Sequence, residues 1–240
     1  MLFSIITVTL NAGAVIKRTL DSIACQSFRS FELIIVDGES SDDTIDLCQE
    51  YAHIITRIVV ERDGGIYDAM NKGLNLAKGD YCLFLNAGDE LYSDDTLSEV
   101  SNSITDECLI LSGDFLSISA GGYQRYIQTN RLTMSHLRKD FNGCHQSIYI
   151  KRSHIQQYNL RYKFLADYDA VIRAVDGCRP DQVLYVSLPL CKYYRGGFSD
   201  SASILREIER YRIQLFHFGF LRLIFNLPQN SVRLLKGLVQ

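Results

Sequence analysis

Residues 31–44, FELIIVDGESSDDT, hold the join that decides the fold. The apolar run 31–36 is too continuous for a half-exposed strand and suits one buried on both faces of a parallel sheet. Asp37-Gly38 ends it, and Ser41 or Asp42 caps a helix that runs to about Tyr51. Upstream, residues 3–10 (FSIITVTL) form a first strand that stops at Asn11-Ala12-Gly13, and Ile16, Leu20 and Ile23 then recur at helical spacing up to Gln26. Downstream, residues 54–60 (IITRIVV) make a third strand, and Asp63-Gly64-Gly65 breaks the chain. Ile66, Met70, Leu74 and Ala77 give a helix face, and a fourth strand follows over Tyr81–Leu85. This β-α-β-α-β-α-β order predicts a doubly wound α/β domain with a mainly parallel sheet and helices on both faces. Ligands in such sheets sit at the carboxyl ends of the strands. Asp37, Asp63 and Asp89 fall just beyond three of those ends and are expected to converge on one rim.

The second half is less regular. Residues 108–119, 123–128, 146–150 and 183–188 read as strands, about 165–175 as a helix, and 129–144 as a polar, basic, mobile loop. From Ser199 a helix is expected, with Ile204, Ile208, Tyr211, Leu215 and Phe218 on one face, and a short last helix from Asn230. No linker-like stretch marks a boundary. The expected organisation is a body of residues 1–200, with a nucleotide-binding half (1–100) and an acceptor-binding half (101–200), followed by a helical tail over 201–240.

Composition narrows the function. The chain has 240 residues, is 47% hydrophobic and has only 3 Pro, which excludes a disordered chain. No apolar run reaches the roughly 18–20 residues of a membrane span, and Met1–Leu10 reads as a strand rather than a signal peptide, so a cytoplasmic protein is expected. Seven cysteines without a CxxC support neither a disulfide framework nor a zinc site. Residues 1–100 carry a net −10, against +3 for 101–200 and +4 for 201–240. An acidic first half argues against a nucleic-acid partner and suits a site that holds a divalent cation.

At the strand ends the chain resembles the family 2 glycosyltransferases of the GT-A fold, in particular those that build bacterial exopolysaccharide, colanic acid or O-antigen. The segments that carry the likeness are SIITVTLNAG (4–13), FELIIVDGESSDDT (31–44), ERDGGIYDAMNKGLNLAKGDYCLFLNAGD (61–89), CHQSIYI (144–150) and ADYDAVIR (166–173). The resemblance implies a nucleotide-diphosphate sugar donor and an inverting transfer to a hydroxyl of a glycan acceptor, expected to be lipid-linked, in polysaccharide synthesis. It assigns Asp89 as ligand of a Mg²⁺ or Mn²⁺ ion, with Asn86 and Gly88 where the family often has carboxylates. Thr9, Asp37, Asp63 and Asn86 would hold the nucleotide sugar, and Leu10 stands where the family often has Tyr. Asp167 would be the general base, His145 and Gln146 would open a strand on the acceptor side, and Arg195 would lie near the diphosphate.

Each assignment has a plainer reading beside it. Asp37, Asp63 and Asp89 each fit a turn in its own right, Asp167 a helix N-terminus, and His145 a satisfied structural histidine. The 14 tyrosines read as core. The stretch Phe216–Leu227, with Arg222, Arg233 and Lys236, reads either as a basic amphipathic surface for the inner face of a membrane or as a helix packed on the body or on a second copy in a homo-oligomer. The competing function is a non-catalytic nucleotide-sugar-binding module of a glycan-assembly complex, motivated by Asn86, Gly88 and Ala166.

Overall fold

A computed structural model describes residues 1–139, 141, 143–196 and 203–219. Strands β1 (Phe3–Thr9), β2 (Phe31–Asp37), β3 (Arg57–Val60) and β4 (Tyr81–Phe84) alternate with helices α1 (Ile16–Ala24), α2 (Thr44–Glu50) and α3 (Ile66–Leu76). Every residue of β1 is buried, and its side chains alternate between two cores. Phe3 and Ile5 pack with Leu20 of α1, while Ile6 and Val8 pack with Met70 of α3. A strand apolar on both faces belongs inside a parallel sheet, where helices cover both sides. β1 indeed pairs in parallel with β2 and with β4, and β2 with β3.

The chain continues through β5 (Glu90–Leu91), a further helix α4 (Thr96–Ser103), β6 (Ile110–Ile118), β7 (Gln124–Ile127), α5 (Met134–Lys139), β8 (Ile148–Lys151), α6 (Ala166–Val175), β9 (Val183–Tyr194) and α7 (Ser203–Phe218). The sheet runs β3-β2-β1-β4-β8-β6-β9-β5, with β7 on β6. β8 is antiparallel to both β4 and β6, and β9 is parallel to β6. The result is a mixed α/β sheet whose first four strands follow the order expected from the sequence. Among the described residues no helix is long and apolar enough to cross a membrane.

The second half departs from expectation at several points. The stretch 129–144 is not all loop. It contains α5, held by the fully buried Leu137, whose carbonyl accepts from the Tyr168 hydroxyl at 2.5 Å. One anchoring leucine in a six-residue helix leaves no periodicity to read. His145 and Gln146 do not open a strand. They lie in a 3₁₀ turn, His145–Ser147, and β8 starts after it. β9 is twice the length expected, because Pro189 lies at a bulge where the β6 register shifts around Asp114 and the pairing then resumes to Tyr194. Elsewhere the limits are tighter: β3 begins at Arg57, and α2 begins at Thr44 with Asp43 at its cap. Asp42 still serves that first turn, accepting from the Thr44 N–H and hydroxyl. α7 packs on the body through Ile213, fully buried beside Leu137, Tyr168 and Ile172. The expected helix start at Ser199, the last helix from Asn230, and Arg222, Arg233 and Lys236 lie outside the described residues.

Candidate active site

The end of β4 turns sharply through Asn86-Ala87-Gly88-Asp89. The Asp89 N–H donates to the Asn86 carbonyl at 3.1 Å, and Gly88 adopts φ +99°, which a side chain would strain. Thr19 of α1 clamps this turn. Its hydroxyl donates to the Asp89 carbonyl at 2.7 Å and accepts from the Gly88 N–H at 2.8 Å. The Asp89 carboxylate is thereby turned inward. Its Oδ1 accepts from the Tyr194 N–H at 2.8 Å and its Oδ2 from Gln146 Nε2 at 2.5 Å. Gln146 is oriented in turn by the Cys144 thiol, which donates to its Oε1 at 2.6 Å. Burial pushes the Asp89 carboxyl up to about 6, against the Tyr194 N–H, His145, Gln146 and Arg18.

Across the cavity, the N-terminus of α6 presents Asp167. His145 Nδ1 lies 3.2 Å from its Oδ2, while its Oδ1 accepts from the Tyr168 N–H at 2.9 Å and lies 3.1 Å from the Tyr67 hydroxyl. The other imidazole nitrogen, Nε2, is 3.1 Å from Asn86 Nδ2. An amide N–H₂ only donates, so Nε2 accepts and Nδ1 carries the proton toward Asp167. Burial pushes the Asp167 carboxyl up, but the His145 hydrogen bond, the Tyr168 N–H and Tyr67 outweigh it and hold it below the usual aspartate value. Asp167 is therefore an ionised carboxylate in a largely dry setting.

These groups line one cavity of about 730 Å³. Asn86, Asp89, His145, Gln146, Asp167 and Arg195 all face it, as do Arg18, Lys163, Arg206 and Arg210. Arg18 also lies 4.3 Å over the Tyr194 ring. Cationic side chains thus outnumber the two carboxylates, an arrangement suited to a polyanion.

Thr9, Asp37 and Asp63 are not on this lining. Thr9 and Asp37 are register partners at the ends of β1 and β2. Asp37 is fully buried and spends both oxygens on Ser40, whose N–H donates to Oδ1 at 2.7 Å and whose hydroxyl donates to Oδ2 at 2.5 Å. Asp37 thus makes the contacts of a turn residue, and of the three carboxylates beyond the ends of these parallel strands Asp89 alone lines this cavity. Asp63 accepts from the Gly65 N–H at 2.9 Å, again as a turn residue, and packs so closely on Gly38 that a Cβ there would lie 2.5 Å from its Oδ2. The Thr9 hydroxyl is buried without a partner among the described residues.

A divalent cation would find oxygen donors here, though few. Among the described residues no three His, Cys, Asp or Glu side chains gather to hold one. Asn86 Oδ1 is buried without a partner among the described residues, in the same turn as Asp89. One carboxylate and one amide oxygen suit a hard ion that takes its other ligands from phosphate and water. Sequence reasoning missed Arg18 and Tyr67. Tyr67 opens the helix just after Asp63-Gly64-Gly65, at the ligand-binding rim, and that position was a signal that could have set it apart from the core tyrosines.

The glycosyl transferase family 2 model matches residues 4–174. A PGL/p-HBAD biosynthesis glycosyltransferase of Mycobacterium bovis (strain BCG / Pasteur 1173P2) is 41% identical over 180 residues, 72% of this chain and 69% of that protein. Among solved structures, S. aureus TarS 1-349 in complex with UDP-GlcNAc gives a TM-score of 0.73 at 18% identity, over 99% of this chain and 72% of that one. In a further crystal structure of the same fragment the shared part is 60% of that chain. The mannosyltransferase PcManGT from Pyrobaculum calidifontis, in complex with GDP-Man and Mn²⁺, gives 0.65 at 16% identity, over 99% of this chain and 73% of that one. These structural likenesses concern the fold, which is GT-A.

Proposed function

The chain belongs to glycosyl transferase family 2, and on that footing we propose that its cavity carries out an inverting transfer from a nucleotide-diphosphate sugar to a hydroxyl of a lipid-linked glycan in cell-surface polysaccharide synthesis. The observation that carries the reading is an ionised Asp167, held by His145 and the Tyr168 N–H, on the same cavity as the Asn86–Asp89 turn and a ring of arginines.

In this reaction the acceptor O–H gives its proton to Asp167 as its oxygen bonds to C1 of the donor sugar. The bond from C1 to the phosphate oxygen breaks, its electron pair leaves with the nucleoside diphosphate, and attack from the opposite side inverts the anomeric centre. His145 and the Tyr168 N–H keep the carboxylate aimed and ionised, while Gln146 fixes the Asp89 side. Arg18, Arg195, Arg206 and Arg210 offer positive charge to the diphosphate. Asp89 and Asn86 Oδ1 would hold a Mg²⁺ or Mn²⁺ ion, which would supply further charge neutralisation of the leaving group. The mannosyltransferase complex with GDP-Man and Mn²⁺ supports that cation. Thr9, with its unsatisfied hydroxyl, and Asp63 serve the nucleoside side. For Asp37, direct contact with a base edge requires Ser40 to release one of its two hydrogen bonds. We place the protein at the cytoplasmic side of the membrane that carries the acceptor.

The test is release of nucleoside diphosphate from a panel of UDP-, GDP- and dTDP-sugars with Mn²⁺. A transferase hydrolyses at least one donor slowly even without acceptor. A binding module is stabilised by a donor and releases it unchanged.

A further inference from the structure

α7 carries one buried carboxylate, Glu209, which is 8% exposed. Its Oε1 accepts from the Lys163 N–H at 2.7 Å, and its Oε2 from the N–H groups of Phe164 at 2.8 Å and Leu165 at 3.1 Å. Three consecutive backbone donors converging on one carboxylate fix both the direction and the register of the segment that offers them. That segment leads directly into α6, where Asp167 is the second residue. The Phe164 carbonyl between them lies 3.0 Å from the same Tyr67 hydroxyl that is 3.1 Å from Asp167 Oδ1.

Packing of α7 does not depend on this carboxylate, because Ile213 already buries the helix against Leu137 and Tyr168. A second tie, His217 Nε2 to Asp169 Oδ1 at 2.8 Å, lies two turns further along α7. Taking a charge out of water is costly unless strong hydrogen bonds replace those it loses. Here they do so at the segment that leads into Asp167. Arg206 and Arg210, on either side of Glu209 in α7, line the cavity.

We propose that Glu209 is a positioning residue for the transfer, acting through the 163–165 segment to hold Asp167 in its working orientation, so that α7 is part of the active site. The proposal rests on Asp167 being the base. The test uses the full 240-residue chain and the donor of the UDP-, GDP- and dTDP-sugar panel that the unsubstituted protein turns over fastest with Mn²⁺. Glu209→Ala should lower kcat for nucleoside diphosphate release roughly 10- to 100-fold, with donor KM within about twofold. Glu209→Gln, which keeps an acceptor oxygen, should recover part of the loss, and it carries the comparison if the alanine variant does not fold. Combined with Asp167→Asn, Glu209→Gln should lower kcat no further, since both act through one group. Unchanged kcat per folded molecule in the glutamine variant, or losses that add in the double variant, would overturn the proposal. An unsubstituted chain that turns over no donor overturns the transferase reading and this proposal with it, and its own rate distinguishes that failure from the other.

Discussion

The His145 imidazole bridges the two sides of the cavity, accepting from Asn86 and donating toward Asp167. The arrangement makes Asp167 the group to remove first. Asp167→Asn should cut transfer by about 10²–10⁴, the usual worth of a positioned base, while the melting shift produced by donor persists. Retained transfer would exclude Asp167 as the base. The sign of its pH dependence follows from its lowered titration. A carboxyl that ionises below 3.8 in the folded chain contributes its stability in full above that value and loses it as pH falls through the lowered one. Below pH 3.8, melting temperatures should therefore fall more steeply with acidification for the unsubstituted protein than for Asp167→Asn. Little of this was legible beforehand. The residue types at 145, 146 and 167 could be read, but their partners could not. Cys144 and Tyr67 touch the site only because a 3₁₀ turn and a helix start bring them there, and neither leaves a periodic trace.

At the level of elements, α3 lies so close to β1 that a Cβ on Gly73 would sit 2.4 Å from Ile6 Cγ2. Alanine for glycine inside a helix ordinarily stabilises by about 1 kcal/mol, but here the extra methyl must displace a fully buried isoleucine. Gly73→Ala should instead destabilise by roughly 1–3 kcal/mol, as overpacked cores do, read as a lower urea midpoint at unchanged slope. A second contrast concerns Asp169, which is tied to Arg173 at 2.9 Å and to His217 of α7 at 2.8 Å. Asp169→Asn leaves the Arg173 guanidinium without its buried counter-charge and should cost on the order of 3 kcal/mol at neutral pH. For a chain of this size that is a fall in melting temperature of about 10 °C. The difference should narrow in acid, because Asp169 is held below the usual aspartate value by its hydrogen bonds with His217 and Arg173, which outweigh its burial, and protonation then removes the charge. Most elements of residues 1–85 were legible because β1, β2 and β4 are almost wholly buried and α1 and α3 each carry an apolar stripe. β9 was not, since its bulge at Pro189 appears only in its pairing with β6, around Asp114. α5 was not, since a single leucine anchors it.

Across the whole molecule, charge is distributed differently from the sequence tally. The first hundred residues are strongly acidic, yet the cavity they help to form is ringed by cations, all but Arg18 drawn from the more basic second half and α7. The acidic balance of the first half therefore does not describe its binding face. Asp89 is the one carboxylate of that half on the cavity lining, already engaged by Gln146 and the Tyr194 N–H and buried enough to titrate near 6. Such a centre binds a divalent ion weakly by itself and binds it well only when phosphate oxygens complete the shell. Stabilisation by ligand follows RT ln(1 + [L]/Kd), about 2.7 kcal/mol at a hundredfold excess over Kd, or on the order of 5–10 °C for a chain of this length. Mn²⁺ alone should therefore leave the melting temperature within about a degree, UDP or GDP alone should raise it modestly through the arginines, and the two together should raise it by more than the sum. Chelation with EDTA should return the mixture to the nucleotide-only value, and Asp89→Asn should abolish the synergy while leaving the nucleotide-only shift in place. Equal stabilisation by nucleoside diphosphate with and without Mn²⁺ would show that the arginine ring neutralises the diphosphate by itself.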